Sequence, residues 1–514
     1  MRRFFPIWVF LLVIVTACQQ SASYRVSKEA EATTFTNPIM AGNYGDPSVV
    51  RVGEDYYMTH SGSGSFSLLV WHSRDLVHWN PVSKVSTNNQ GTPWAPDLVY
   101  HQGKFYIYVT LTRYLEDGSR TFGNVVFTAD KAEGPWSEPI NLNVKGLIDP
   151  GHIATPEGKR YLFFEKGQVA ELSENGQQII SEVSKVYDGW QYPDEWVVEC
   201  PCLESPKLFY KDGYCYMVSA MGGTKGPSTS HMAVTARAKD PMGPWENAPN
   251  NPLIHTYSPE ERWWSQGHAT LLEDTEGQWW AVYHAYEKMQ RIMGRPTLML
   301  PVDWTTDSWP YIREGLTAEA DLPKPAGQHI GEPLDFSNDF EGNQLNLLWR
   351  HHTLVNPADF KVGNNALTVK GKGDNPANAN EVGITLIDKS FEASIELILD
   401  EQTEAGLVLY ARNGNSTGIG VKGDEPMLYW RGKKQRARAG EIPQLAAGPV
   451  ELKIRKENFD VSVWYRQEGN DWRKLPRSFE VQEGHGVLYL SLYTCGTGKA
   501  TYKHFRYSKL KKEV

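Results

Sequence analysis

The chain has 514 residues, of which 40% are hydrophobic and 22% charged, with a formal net charge of −9. That length points to two or more domains, and the acidic balance argues against a nucleic-acid surface. After the N-terminal apolar stretch, no run is long enough to span a bilayer.

Met1-Arg2-Arg3 is a short basic start, Phe4 to Val15 an apolar core, and Thr16-Ala17-Cys18 a small-residue end. Residues 1–17 therefore read as an export signal and not as part of the fold. Small residues before a cysteine resemble a bacterial lipobox. The resemblance implies that Cys18 carries a lipid anchor and that the protein is an exported bacterial lipoprotein, periplasmic or outer-membrane associated. The polar stretch 18–34 reads as its tether, and anchoring by more than one acyl chain is stable.

From residue 35 a pattern recurs five times. A polar residue opens a short strand, a tight turn follows, and an aromatic strand returns. The units begin at Asp46-Pro47, Ala95-Pro96-Asp97, Asp149-Pro150, Glu204-Ser205-Pro206 and Gly267-His268. Each reads as a β-hairpin. The spacing is roughly that of four-stranded repeats of about 40–50 residues, the signature of a β-propeller. Residues 35–320 are thus expected to form five blades. Within blade one, Leu68 to Ser73 and Asp75 to Trp79 read as the outer strands. Trp79, Trp136 and Trp245 recur at equivalent places and read as packing between blades. The third repeat gains an insertion from Tyr187 to Cys202, placed to shape the rim.

The first strand of a propeller blade lines the central axis. Asp46, Asp97, Asp149, Glu204 and His268 should therefore gather at one mouth of the channel. Carboxylates brought together repel, so their pKa values separate. One then donates a proton while another accepts, which is what glycoside cleavage needs. Trp71, Trp94, Trp190 and Trp196 are candidate platforms for sugar rings. Asp97, as a lone acid near a proline, also fits an ordinary turn residue.

Leu322-Pro323-Lys324-Pro325 breaks the repeat, and 321–334 reads as a linker. Alternating short strands fill 335–514, among them Phe391 to Leu399, Val450 to Arg455 and Gly486 to Leu492. They predict a β-sandwich without a second catalytic centre. The fold class is all-β: a five-bladed propeller followed by a sandwich of jelly-roll or concanavalin-like type. Of the cysteines after Cys18, Cys200 and Cys202 stand too close to bridge each other comfortably, and a Cys202–Cys215 pair is possible.

The ordered set Asp46-Pro47, Asp149-Pro150, Glu204-Ser205-Pro206, Gly267-His268 and Gly294-Arg295-Pro296 resembles glycoside hydrolase family 43. The resemblance implies an inverting mechanism. Asp46 corresponds to the general base, Glu204 to the general acid, and Asp149 to the acid that orients the donor and tunes its pKa. Arg295 corresponds to the arginine that steadies the base. Trp94 and Asp97 correspond to a pocket motif near the sugar, joined by Trp71 as a substrate contact. His268 corresponds to an axial histidine that holds water or a structural calcium, or is simply hydrogen-bonded; no cofactor is required. The expected activity is removal of terminal sugars from plant oligo- or polysaccharides, of α-L-arabinofuranosidase or β-D-xylosidase type. The alternatives are an exo-acting β-galactosidase or galactanase, a retaining fructosyltransferase, or a glycan-binding lipoprotein.

Overall fold

The structure is a computed structural model that describes residues 33–115, 117, 119–435, 444–467 and 469–511. The export signal, Cys18 and most of the tether lie outside the described residues. Among those described, helix is limited to short 3-10 turns, and no helix is long and apolar enough to cross a membrane.

Five antiparallel sheets follow one another, each a meander in sequence order. Their first strands are Ser48–Val52, Thr92–His101, Gly151–Ala154, Leu203–Lys211 and Trp263–Glu273. Each first strand contacts the next, and the fifth contacts the first, so the sheets close into a ring of five blades around an axial channel. The aromatic second strands, such as Lys104–Tyr114 and Trp279–Glu287, are almost wholly buried because blades cover both of their faces. Such strands read as continuous apolar runs instead of alternating ones. Closure is reinforced by the Thr270 hydroxyl, which donates to the Pro47 carbonyl at 2.9 Å. Thr34–Phe35 also pairs with Leu322–Pro323, so the linker begins as a strand held against the chain start.

Blade one corrects one expected strand. Its fourth strand is Asn80–Ser86, and Asp75 to Trp79 is the turn before it. The Asp75 carboxylate accepts from the backbone N–H groups of Val77 and His78 at 3.0 and 2.8 Å. That Asx-type capping competes with strand pairing. Trp136 reaches back to blade one, where its indole N–H donates to the Ser83 hydroxyl at 3.0 Å. Trp245 packs edge-on against Phe163 of blade three.

The C-terminal domain packs a seven-stranded sheet on a six-stranded one. In Ser390–Leu399 and Val450–Glu457 of the larger sheet, alternate residues are buried, as expected for a sheet wet on one side. Thr403–Ala411 of the smaller sheet is buried throughout.

The cysteine expectation is overturned. Cys200 and Cys202 are bonded to each other, and Cys215 is buried and free. The chain folds tightly across Pro201 and brings the two Cα atoms to 5.1 Å, which lies inside the range a disulfide spans.

Candidate active site

At the channel mouth one backbone device repeats in every blade. Asp46, Ala95, Asp149, Ser205 and His268 all have positive φ, between 39° and 60°. The first four each precede a proline. Left-handed backbone is uncommon for residues other than glycine and costs energy. Its recurrence here turns each chain sharply into the axis and aims the side chains at the mouth. The equivalent position in blades two and four is therefore Ala95 and Ser205. Glu204 stands one residue earlier, and Asp97 two residues deeper.

Asp46 is buried and its carboxylate is fully engaged. The Arg295 guanidinium grips it bidentately, Nη1 to Oδ1 at 2.6 Å and Nη2 to Oδ2 at 2.7 Å. The Ser61 hydroxyl donates to Oδ2 at 2.5 Å. His268 Nδ1 lies 3.1 Å and His284 Nδ1 3.3 Å from Oδ1. Burial alone would raise this carboxyl, but Arg295 and His268 hold it well below the usual carboxylate range. Gly45 makes room for the clamp, since an added Cβ would stand 2.5 Å from Arg295 Nε.

Glu204 lies in the opposite electrostatic regime. Burial first, then the charges of Glu165, Asp46 and Glu199, push its carboxyl up to about 7. Asp149 is also raised, by burial and then by Glu204 and Asp46. The three acids therefore feel one another across a single mouth. One is held ionised, and the other two are driven toward the neutral form.

Residues 35–310 match the family described as Glycosyl hydrolases family 43, and 337–508 match a beta xylosidase C-terminal concanavalin A-like domain. The chain belongs to glycosyl hydrolase family 43. It is 33% identical over 348 residues to a non-reducing end alpha-L-arabinofuranosidase of Bacteroides ovatus, covering 63% of this chain and 62% of that protein. It is 30% identical over 334 residues to a xylan 1,3-beta-xylosidase of a Vibrio species, covering 57% of this chain and 60% of that protein. The chain thus spans less than two thirds of both relatives' length. Among solved structures, a family 43 protein of Bacillus licheniformis superposes with a TM-score of 0.82 at 26% identity, over 93% of this chain and 100% of that one.

Within this family 43 fold, several expected site residues take other places. Asp97 does not face the mouth. Its Oδ1 takes the Lys207 ammonium at 2.9 Å and the Ser48 hydroxyl at 3.2 Å, and its Oδ2 accepts from the His152 backbone N–H at 2.8 Å. The bulge between Trp94 and Asp97 carries it down the channel, so it ties its own blade to blades one, three and four, with both oxygens engaged there. Trp71 is fully buried and packs edge-on against Tyr44 at 5.3 Å. It belongs to the core because its strand, Ser67–Ser73, is covered on both sides. Trp94 is half-buried at the rim, with Arg120 over its ring at 5.7 Å. Trp196 stacks on His255 at 4.3 Å, so one of its faces is taken, and Trp190 meets Trp196 edge-on.

A calcium ion at His268 does not fit. Asp46, His268 and His284 do offer ligand atoms within 4.8 Å of one another. Calcium, however, takes oxygen ligands, and the one carboxylate here is already neutralised by Arg295. His268 Nε2 is also engaged, by the Ser205 hydroxyl.

Ser61, His284, Glu165 and Glu199 were not visible as site residues in the sequence. Glu165 follows directly after the aromatic strand Arg160–Phe164. His284 lies inside another aromatic strand, where alternation alone marks it as core.

Proposed function

We propose that the protein is an inverting exo-glycosidase that removes terminal pentoses from plant polysaccharides or oligosaccharides, as an α-L-arabinofuranosidase or β-D-xylosidase. The observation that carries this reading is the split in protonation between Asp46 and Glu204. Glu204, neutral up to about 7, protonates the departing glycosidic oxygen. Asp46, held ionised by a pKa well below the usual carboxylate range, takes a proton from water attacking the opposite face of the sugar. Single-displacement inversion needs about 6.5–9.5 Å between such carboxyls, leaving room for that water. Asp149, adjacent in charge to both, orients Glu204 and helps hold its proton. Arg295 fixes the base so that its lone pairs meet the water in one geometry. The chemistry uses no cofactor. The 187–202 insertion and the sandwich both flank the mouth, which favours a pocket for chain ends over an open groove. The names of the relatives favour a pentose. The Cys18 lipobox supports attachment to a bacterial envelope membrane, and loss of acyl labelling in C18A tests that part.

The test is a panel of aryl α-L-arabinofuranosides, β-D-xylosides and β-D-galactosides, with NMR of the first-formed anomer. Inverted product from a pentoside is expected; retention of configuration would sink the mechanism. Glu204→Gln should lose about 10²- to 10⁴-fold on an oligosaccharide, and much less on a dinitrophenyl glycoside, whose leaving group needs no proton. Asp46→Asn should lose comparable activity on both.

A further inference from the structure

The sandwich sends a tyrosine side chain toward the mouth. Tyr489, in the strand Leu488–Gly496 of the six-stranded sheet, is buried. Its ring stacks on His352 at 3.9 Å, and His352 is itself locked by buried Glu381, Nδ1 to Oε1 at 3.1 Å. The Tyr489 hydroxyl then joins two arms of the propeller. It accepts from the Asn43 amide at 2.9 Å, and it donates to the Ser63 carbonyl.

Both arms end on the same carboxylate. The Asn43 Oδ1 accepts from the Arg295 backbone N–H at 3.2 Å. Gly294 has φ +81°, and a Cβ there would stand 2.4 Å from Asn43, so this turn is seated directly on the amide. Arg295 in turn clamps Asp46. On the other arm, the Ser63 hydroxyl donates to the Asn43 carbonyl at 2.8 Å and to the Ser61 carbonyl at 3.3 Å. Ser61 donates to Asp46 Oδ2 and accepts from the Ala95 N–H at 2.8 Å. The backbones of Arg295 and Ser61, whose side chains donate to Asp46, are thus each braced, two hydrogen bonds away, by a hydroxyl from the other domain.

We propose that Tyr489 is a positioning residue for Asp46, acting through Asn43–Arg295 and Ser63–Ser61, so that the sandwich completes the catalytic centre of the propeller. This rests on the reading of Asp46 as general base. Tyr489→Phe keeps the ring stacked on His352 but removes the hydroxyl. The Asn43 amide and Ser63 carbonyl then lose their partner, and the clamp on Asp46 loosens. A looser clamp raises the proton affinity of a carboxylate that must be ionised to work. The acid limb of the kcat/KM profile therefore moves to higher pH, and kcat falls on the order of tenfold with KM little changed.

Three comparisons isolate the effect in the full-length protein. Tyr502→Phe removes another buried sandwich hydroxyl, which donates to the Tyr493 carbonyl at 2.5 Å with no path to Asp46; it should lower the melting temperature and leave the pH profile alone. Asn43→Ala cuts the first arm from the propeller side and should shift the acid limb the same way, whether or not Tyr489→Phe folds. The double variant should lose little more than the worse single one, because both break one network. An unshifted acid limb in Tyr489→Phe, or in Asn43→Ala, overturns the proposal, as does additivity in the double variant. If Asp46→Asn keeps the parental rate, the general-base reading itself has failed. If Asp46→Asn is inactive while the Tyr489→Phe profile matches the parent, the positioning role alone has failed.

Discussion

At the scale of single residues, the mouth is an exercise in splitting carboxylates. Asp46 gathers a guanidinium, a hydroxyl and two imidazoles, while Glu204 gathers burial and three negative neighbours. The proposed mechanism needs the first ionised and the second protonated. The rate should therefore hold from the depressed pKa of Asp46 upward and decline as pH rises through about 7, where Glu204 loses its proton. Glu165 is the strongest of the charges that raise Glu204. Glu165→Gln removes that repulsion, so the alkaline limb is expected to move to lower pH. A pH–kcat/KM profile reads this directly, and an unmoved alkaline limb would remove Glu165 from the account. The acids at 46, 149 and 204 were legible in the sequence because each sits at a recurring Pro-containing strand start. Glu165 was not, because nothing local distinguishes an acid that faces a channel from one that faces water.

At the scale of strands and turns, the repeated left-handed residue before proline decides what points where. Four X-Pro pairs, 46-47, 95-96, 149-150 and 205-206, mark the true register. Aligning the blades on acidic side chains instead placed Asp97 at the mouth, two residues from its real level. Trp71 fails as a platform for a related reason: a strand covered on both faces shows no alternation that would separate core from rim. Inner strands of neighbouring blades are also pressed together. A Cβ on Gly151 would lie 1.7 Å from the Pro206 carbonyl oxygen, a backbone atom that cannot swing aside. Gly151→Ala should force blades three and four apart at a cost of about 1–3 kcal/mol or more. The midpoint of urea unfolding would report it, and an unchanged midpoint would mean the ring yields there freely.

At the scale of the whole molecule, the two domains share a single hydrophobic cluster. It runs from Met40, Tyr44 and Trp71 of the propeller to Trp349, Leu386 and Leu407 of the sandwich. Polar contacts cross the same seam: the Lys84 ammonium donates to the Trp349 carbonyl at 2.7 Å, and the Arg291 N–H donates to Glu483 at 3.0 Å. Domains joined through a continuous core lose their independence. Calorimetry of the full chain should show one cooperative transition, and two well-separated transitions would contradict a shared core.

Fold class, the number of blades, the order of the acids and the presence of a second β-domain were all determined by the sequence alone. Alternation and turn chemistry act over a few residues and can be read there. The tertiary structure alone decided that Asp97 leaves the mouth, which tryptophans are buried, that Cys200 bonds Cys202, and that Tyr489 reaches Asn43 from 446 residues away in the chain. Those outcomes depend on how blades and sheets close upon one another, and no local pattern of residue types carries that information.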